Sequence, residues 1–259
     1  NYQFIGNLRK PFTILVWLAS KSVLDKSADT TAGFLFYQTQ DGFKFKSIDN
    51  LTKQESKATY TYTEINQSSI EVNNDFRILN YGVDKNQNLI EKLRLGTYSS
   101  VRVTFDPYNF KCKQAQFKFD ESGIDKLGNK VALPQISEDS TKTLSDIPSR
   151  VFSQVVDRGT FEPDVSITEN ADPTKYQAQA AMRYNIMVTQ LLSIMVPCNT
   201  DLRAGDIITC NFPKISREDS ERYDSETSGK YIIKELCHHF DPDRSFTSMK
   251  LVRDSFGET

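Results

Sequence analysis

The last thirty residues constrain the fold most. Ser228 to Gly257 reads SGKYIIKELCHHFDPDRSFTSMKLVRDSFG, two runs rich in β-branched and aromatic residues separated by Asp241-Pro242-Asp243-Arg244-Ser245. Such runs around a short turn-forming loop are a hairpin signal, and the proline fixes φ where the ladder needs no donor. The spacing predicts an antiparallel sheet at this end of the chain. Along its first strand, strict alternation puts Ile233, Glu235, Cys237 and His239 on one face, and Ile232, Lys234, Leu236, His238 and Phe240 on the other. Neither face is cleanly apolar, whereas a sheet lying over a single core alternates apolar with polar. The pattern suits a strand whose outer face meets another chain or lines a wet channel.

A chain of 259 residues is long enough to bury a sizeable core, and 38% hydrophobic with 25% charged residues places it among globular proteins. A net charge of -2 lacks the basic footprint needed to displace counterions from phosphates, so no direct nucleic-acid binding is expected. The longest wholly apolar run, Ile14 to Ala19, falls far short of the roughly 20 residues of a membrane helix, so no span is expected. The first residue is Asn1, and the chain is expected to be the ordered part of something longer. Cys112, Cys198, Cys210 and Cys237 show no C-x-x-C pairing, and on a strand only Cys237 and His239 of the Cys237-His238-His239 run share a face. Buried free thiols are expected, with no metal site and no cofactor.

Along the chain, Pro11 opens an apolar helix, FTILVWLASKSVL, whose pattern predicts burial. Asp41-Gly42 separates two aromatic-rich runs and predicts a hairpin pairing Phe34 and Phe36 with Phe43 and Phe45. A strand is expected over Ala58 to Ile65, a short helix over Asn86 to Leu95 stopped at Gly96, and a hairpin from Val101 to Phe105 and Phe110 to Phe119. Asp120 to Ser149 turns polar and reads as a linker or long loop. Then follow a strand at Arg150 to Asp157, a polar stretch, a helix start at Asp172-Pro173 leading to Tyr176 to about Tyr184, and a buried strand in MVTQLLSIMVP. A connection at Asn199 to Asp206 leads to IITCNFP, and Lys214 to Thr227 reads as an exposed loop.

Chemistry finds little purchase. Nucleophilic catalysis generally needs a base, most often histidine, and the two histidines are adjacent on one strand. No G-x-S-x-G elbow, P-loop or G-x-G-x-x-G turn occurs. The densest carboxylates, Asp241 with Asp243 and Glu218 with Asp219 and Glu221, read as a turn and a solvated loop. Trp17 and the strand aromatics read as packing residues.

Three stretches together resemble a known family. AGFLFYQTQDGFKFKSID after the apolar helix, NLIEKLRLGTYSSVRVTFDPYNF, and DLRAGDIITCNFP followed by the terminal hairpin are similar to baseplate hub proteins of contractile-tailed phages. That group includes late control D proteins and the hub part of VgrG spikes. The resemblance implies an α+β, mainly β chain: a mixed α+β middle domain at 1–120, a linker at 121–149 and a tail-tube-like antiparallel β-barrel domain at 150–259. The resemblance also implies a first barrel upstream, which is expected to be absent from this stretch or truncated. The implied function is a homotrimeric, pseudo-sixfold ring in the virion tail, assembled in the host cytoplasm, joining the tail tube protein to the central spike protein among other baseplate proteins. No catalysis is expected, and Lys234, His238 and Lys250 are expected at a subunit boundary or facing the lumen. Two other readings stand beside it, a tail-associated cell-wall hydrolase or peptidase and the spike core of a bacterial injection or secretion machine.

Overall fold

A computed structural model describes residues 6–24, 32–63, 73–85, 88–107, 110–119, 126–128, 141–155, 176–214 and 223–255. The helix start at Asp172-Pro173, the carboxylates Glu218, Asp219 and Glu221, and most of the polar stretch 120–149 lie outside the described residues. Within them the chain is α+β and mainly β. The order is α1 (Pro11–Lys21), β1 (Phe34–Thr39), β2 (Gly42–Ser47), α2 (Ile48–Thr52), β3 (Ser56–Tyr62), β4 (Arg77–Ile78), β5 (Asn80–Lys85) and α3 (Leu89–Arg94). It continues with β6 (Ser99–Asp106), β7 (Lys111–Lys118), β8 (Arg150–Val155), α4 (Tyr176–Met187), β9 (Gln190–Pro197), β10 (Ile207–Asn211), β11 (Gly229–Phe240) and β12 (Ser245–Arg253).

Seven strands form the main sheet in the order β4-β3-β10-β11-β12-β9-β5. Its two ends are neighbours in the chain. Ile78 pairs with Tyr62 of β3, the Leu79 amide donates to the Met195 carbonyl of β9 (2.7 Å), and Tyr81 lies opposite Ile194. One stretch of backbone thus bonds to β3 along its start and to β9 along its remainder, curling the sheet into a nearly closed barrel. Closure removes open sheet edges, which otherwise invite strand addition. The pairing is antiparallel except where β3 runs parallel to β10 and β4.

Alternation fills the inside. Leu192, Ile194 and Val196 of β9 are buried while their neighbours are half-exposed. They meet Met249 and Leu251 of β12, Tyr231 and Ile233 of β11, and Ile208 and Cys210 of β10. Outside, Ile207, Ile232 and Val252 form a second core under Leu35 and Tyr37 of the β1–β2 hairpin and Met187 of α4. The hairpin turns at Asp41-Gly42, with Gly42 at φ 106°, and sets Phe36 against Phe43 at 5.7 Å and Phe34 against Phe45 at 5.2 Å. A separate three-stranded sheet, β7-β6-β8, has β8 parallel to β6. The barrel draws strands from 56–85 and from 190–253, so it is shared between the two stretches read from the sequence as separate domains.

Three local expectations change. The apolar helix α1, expected to be buried, lies on the surface with Phe12 56% and Val16 57% exposed, because the hairpin beneath it covers one side. Met187 closes α4 instead of opening a strand, since β9 begins at Gln190. On β11 a bulge between Ile233 and Glu235 inserts Lys234 without a partner on β12, which resets the alternation. After it Leu236 packs with the barrel core, as Tyr231 and Ile233 do before it. The mixed faces expected from strict alternation thus separate into an inner and an outer set.

The LRAGD turn abuts the bulge. The Gly205 amide donates to the Ile233 carbonyl (2.8 Å), and the Ile233 amide to the Asp206 carbonyl (2.9 Å). Gly205 sits at φ 89° with the Tyr37 ring against it, leaving no room for a Cβ.

A buried ion cluster ties α4, α2 and the end of β12 together. Arg183, 1% exposed, donates to the Asp49 carboxylate (3.0 Å) and stands 3.8 Å from Asp254. Asp254 in turn accepts from the Leu127 amide (3.0 Å). Desolvation makes such a pair a poor source of net stability, yet removing one partner strands a buried charge. Asp49→Ala is therefore expected to lower stability by about 3–5 kcal/mol, and Arg183→Met, which strands both Asp49 and Asp254, by at least as much. Urea unfolding measures both; an Asp49→Ala chain as stable as the parent contradicts the cluster's role.

Candidate assembly surface

The outer wall over β5, β9, β12 and β11 holds a groove of about 510 Å³, lined by side chains that register places outward: Ser193 and Met195, Ser248 and Lys250, Glu235 and Cys237. Asn80 and Gly82 of β5 border it. Ser193 donates to Asp84, fixing one rim. Apart from Met195 these outward side chains are small, polar or charged, which suits a face wetted by water or a partner and not a core.

Glu235 is the electrostatic centre. Lys250, directly opposite on β12, donates to its carboxylate at 2.8 Å, and the bulged Lys234 stands 3.9 Å away. The Lys250 hydrogen bond, then its charge, holds the Glu235 carboxyl below its ordinary value. Reciprocally, Glu235 raises the Lys250 ammonium above its own. All three side chains are about half-exposed, so solvent screens the cluster and its worth lies in positioning charge.

Of the residues singled out from the sequence, Lys234 and Lys250 flank Glu235, and His238 stands apart. Register puts His238 opposite Thr247 on the inner side, with its Nδ1 2.9 Å from the Thr247 hydroxyl. Thr247 also accepts from the Asn199 amide (3.2 Å). Lys234 and His238 share a second hollow with Arg203 and Gln38, at the foot of the LRAGD turn. Sequence reasoning overlooked Glu235, because its place beside Lys250 depends on the bulge.

Cys237 and His239 do share the outer face. His239, however, pairs through Nε2 with the Ser248 hydroxyl (3.0 Å) and stacks on Phe246 (4.5 Å). The Cys237 thiol leans toward the His238 carbonyl (3.9 Å), so thiol and imidazole form no dyad. Cys210 is enclosed in the barrel, where burial pushes its thiol well above the usual range and away from the reactive thiolate. Among the described residues no group of three or more His, Cys, Asp or Glu is placed to hold a metal ion. No described helix is long and apolar enough to cross a membrane.

The Glu235 cluster yields a titration. A depressed folded value contributes stability that is present above the unfolded carboxylate pKa and lost as pH falls through the folded one. Side-chain NMR is expected to show Glu235 titrating below ordinary glutamates, and Lys250→Ala to move it back up. Added salt should shrink the difference. A Glu235 midpoint indifferent to Lys250→Ala would contradict the pairing.

Comparison with known proteins gives the chain a context. No family model matches it. A probable baseplate hub protein of Vibrio phage KVP40 is 20% identical over 270 aligned positions, which cover 97% of this chain and 59% of that protein. Among solved structures, the tail protein from Neisseria meningitidis MC58 superposes with a TM-score of 0.50 at 11% identity, covering 98% of this chain and 57% of that one. The 43 kDa tail protein of prophage MuSo2 from Shewanella oneidensis gives a TM-score of 0.44 at 11% identity, covering 96% and 54%. The chain thus spans less than two thirds of the proteins it matches, and it shares its fold with a tail protein.

Proposed function

We propose that this chain is a structural subunit of a phage tail baseplate hub. Three copies form a pseudo-sixfold ring that joins the tail tube above to the central spike below, in a virion tail assembled in the host cytoplasm. The observation that carries this reading is the likeness of nearly the whole chain to a baseplate hub protein of a Vibrio phage. Physical chemistry supports it in two ways. A nearly closed barrel presents few open strand edges, so it can stand among copies of itself without uncontrolled strand pairing. Its outer wall carries a charged cluster at Glu235, Lys234 and Lys250 beside small polar side chains, and complementary charge sets partner register more than affinity.

In this reading the chain performs no turnover and carries no cofactor or metal. Lys234 and Lys250 lie at a subunit boundary or face the ring's lumen, and so does His238 through the hollow it shares with Lys234. The resemblance extends to spike cores of bacterial injection machines, which share this architecture; the phage reading is preferred for the likeness to the Vibrio phage protein.

The test combines Lys234→Glu with Lys250→Glu in the purified chain. Attachment to tail tube protein, followed by co-sedimentation, is expected to weaken roughly tenfold or more, since like charges set against a partner's surface cost several kcal/mol. Undiminished attachment and an unchanged copy number would contradict the assignment. Release of soluble fragments from peptidoglycan by the parent chain would instead favour a cell-wall hydrolase.

A further inference from the structure

Among the described residues three arginines are buried, and two of them meet oxygen acceptors. Arg183 donates to Asp49 and stands beside Asp254, and Arg253 donates to the Ser228 carbonyl (2.9 Å). Arg102 on β6, 7% exposed, differs: its Nε has no hydrogen-bond partner, and the charge that acts on it is the like charge of Arg150. Burial first, and Arg150 second, push its guanidinium below the ordinary arginine range. A charged side chain is almost never buried this far unless it is paired.

The three-stranded sheet gathers further donors around it. Ser100, Arg102 and Thr104 share the buried face of β6, and the parallel pairing sets Arg150, Phe152 and Gln154 of β8 beside them. The Arg102 guanidinium lies 3.9 Å from the centre of the Phe152 ring and that of exposed Arg150 4.9 Å. Stacking occupies the flat face of a guanidinium and leaves its in-plane N–H groups free to donate. Arg150 spends one of its own on the Arg94 carbonyl at the end of α3 (2.9 Å). The Ser100 hydroxyl and the Gln154 amide nitrogen are likewise buried without a hydrogen-bond partner. Gly96, at φ 69°, brings the end of α3 against this face, where a Cβ would stand 3.0 Å from the Arg150 Cβ and 3.2 Å from that of Ser100.

We propose that this face of the β6–β8 sheet binds a compact oxyanion, a carboxylate or phosphate group that accepts from Arg102 and Arg150 beside the Phe152 ring. The unmatched groups all carry a proton to donate, so a cation would leave every one of them unmet. An oxyanion presents two acceptor oxygens to the fork of a guanidinium and cancels the repulsion between the two arginines. Ser100 and Gln154, one same-face position to either side of the Arg102–Phe152 pair, supply neutral donors to its oxygens. A phosphate would arrive as a free ion, and a carboxylate as the acidic side chain of a neighbouring protein chain. The site is built on a sheet separate from the barrel and its outer groove, and it does not depend on the hub reading.

The test unfolds the full chain in urea with inorganic phosphate, with glutamate capped at both ends, and with sodium chloride at the same ionic strength. A ligand that binds only the folded chain raises the midpoint. At least one oxyanion is expected to raise it above the chloride control, and Arg102→Met to weaken the apparent binding at least about tenfold. In nitrogen-15 NMR of the parent, one arginine Nε–H signal, missing from Arg102→Met, is expected to move as the anion is added. Should Arg102→Met fail to fold, Arg150→Met, at an exposed position, carries the same comparison. A response to phosphate alone assigns the site to a free ion, and a response to the capped glutamate assigns it to an acidic side chain. No rise above chloride with either anion, an equal rise in parent and variant, or an unmoved Nε–H signal overturns the proposal.

Discussion

The backbone from Arg77 to Lys85 bonds on both of its edges, to β3 through its first residues and to β9 through the rest. Nearly everything else in the molecule follows from that double pairing. It turns a sheet of seven strands into a barrel, sorts their residues into inside and outside, and makes the inside one packed core around Ile194, Ile208, Ile233 and Leu251. It also joins strands from near the start of the chain to strands at its end. Such non-local pairing carries a loop-closure cost that slows folding.

Around the barrel, specificity comes from a few buried polar contacts. Arg183 links α4 to Asp49 of α2 and to Asp254 beyond β12, so the helical layer and the end of the last strand are held in one register. Arg253, fully buried, donates to the Ser228 carbonyl (2.9 Å) and lies over the Tyr231 ring (5.2 Å). Burial in that setting pushes the Tyr231 phenol up to about 12, with Arg253 pulling the other way. The terminal leucine-valine-arginine-aspartate run therefore serves the core on both faces, Leu251 and Arg253 turned to one and Val252 to the other.

Much of this was legible where a local rule sufficed. The Asp41-Gly42 and Asp241 to Arg244 turns, the existence of β9 as a strand and the helix stop at Gly96 each follow from φ preferences or residue type over a few residues. Features set by distant partners were not legible. Nothing near Lys234 announces the bulge, which arises beside the LRAGD turn some thirty residues earlier, so the faces of β11 were assigned in the wrong phase beyond it. The closing strand is interrupted at Leu79 and too short on either side to signal a barrel. Apolar periodicity marks α1 as needing cover but cannot say that Phe12 and Val16 stay exposed. The charge cluster at Glu235 was half-visible: both lysines were singled out, while the carboxylate that gathers them depended on the shifted register.

The central claim is that this barrel exists to stand among copies of itself, with its outward residues given to contact. Electron cryomicroscopy of the purified chain, with native mass spectrometry on the same preparation, addresses that claim most directly. The account expects three copies of the 29.6 kDa chain around one axis, each with an intact barrel. Particles of a single chain at micromolar concentration would contradict it.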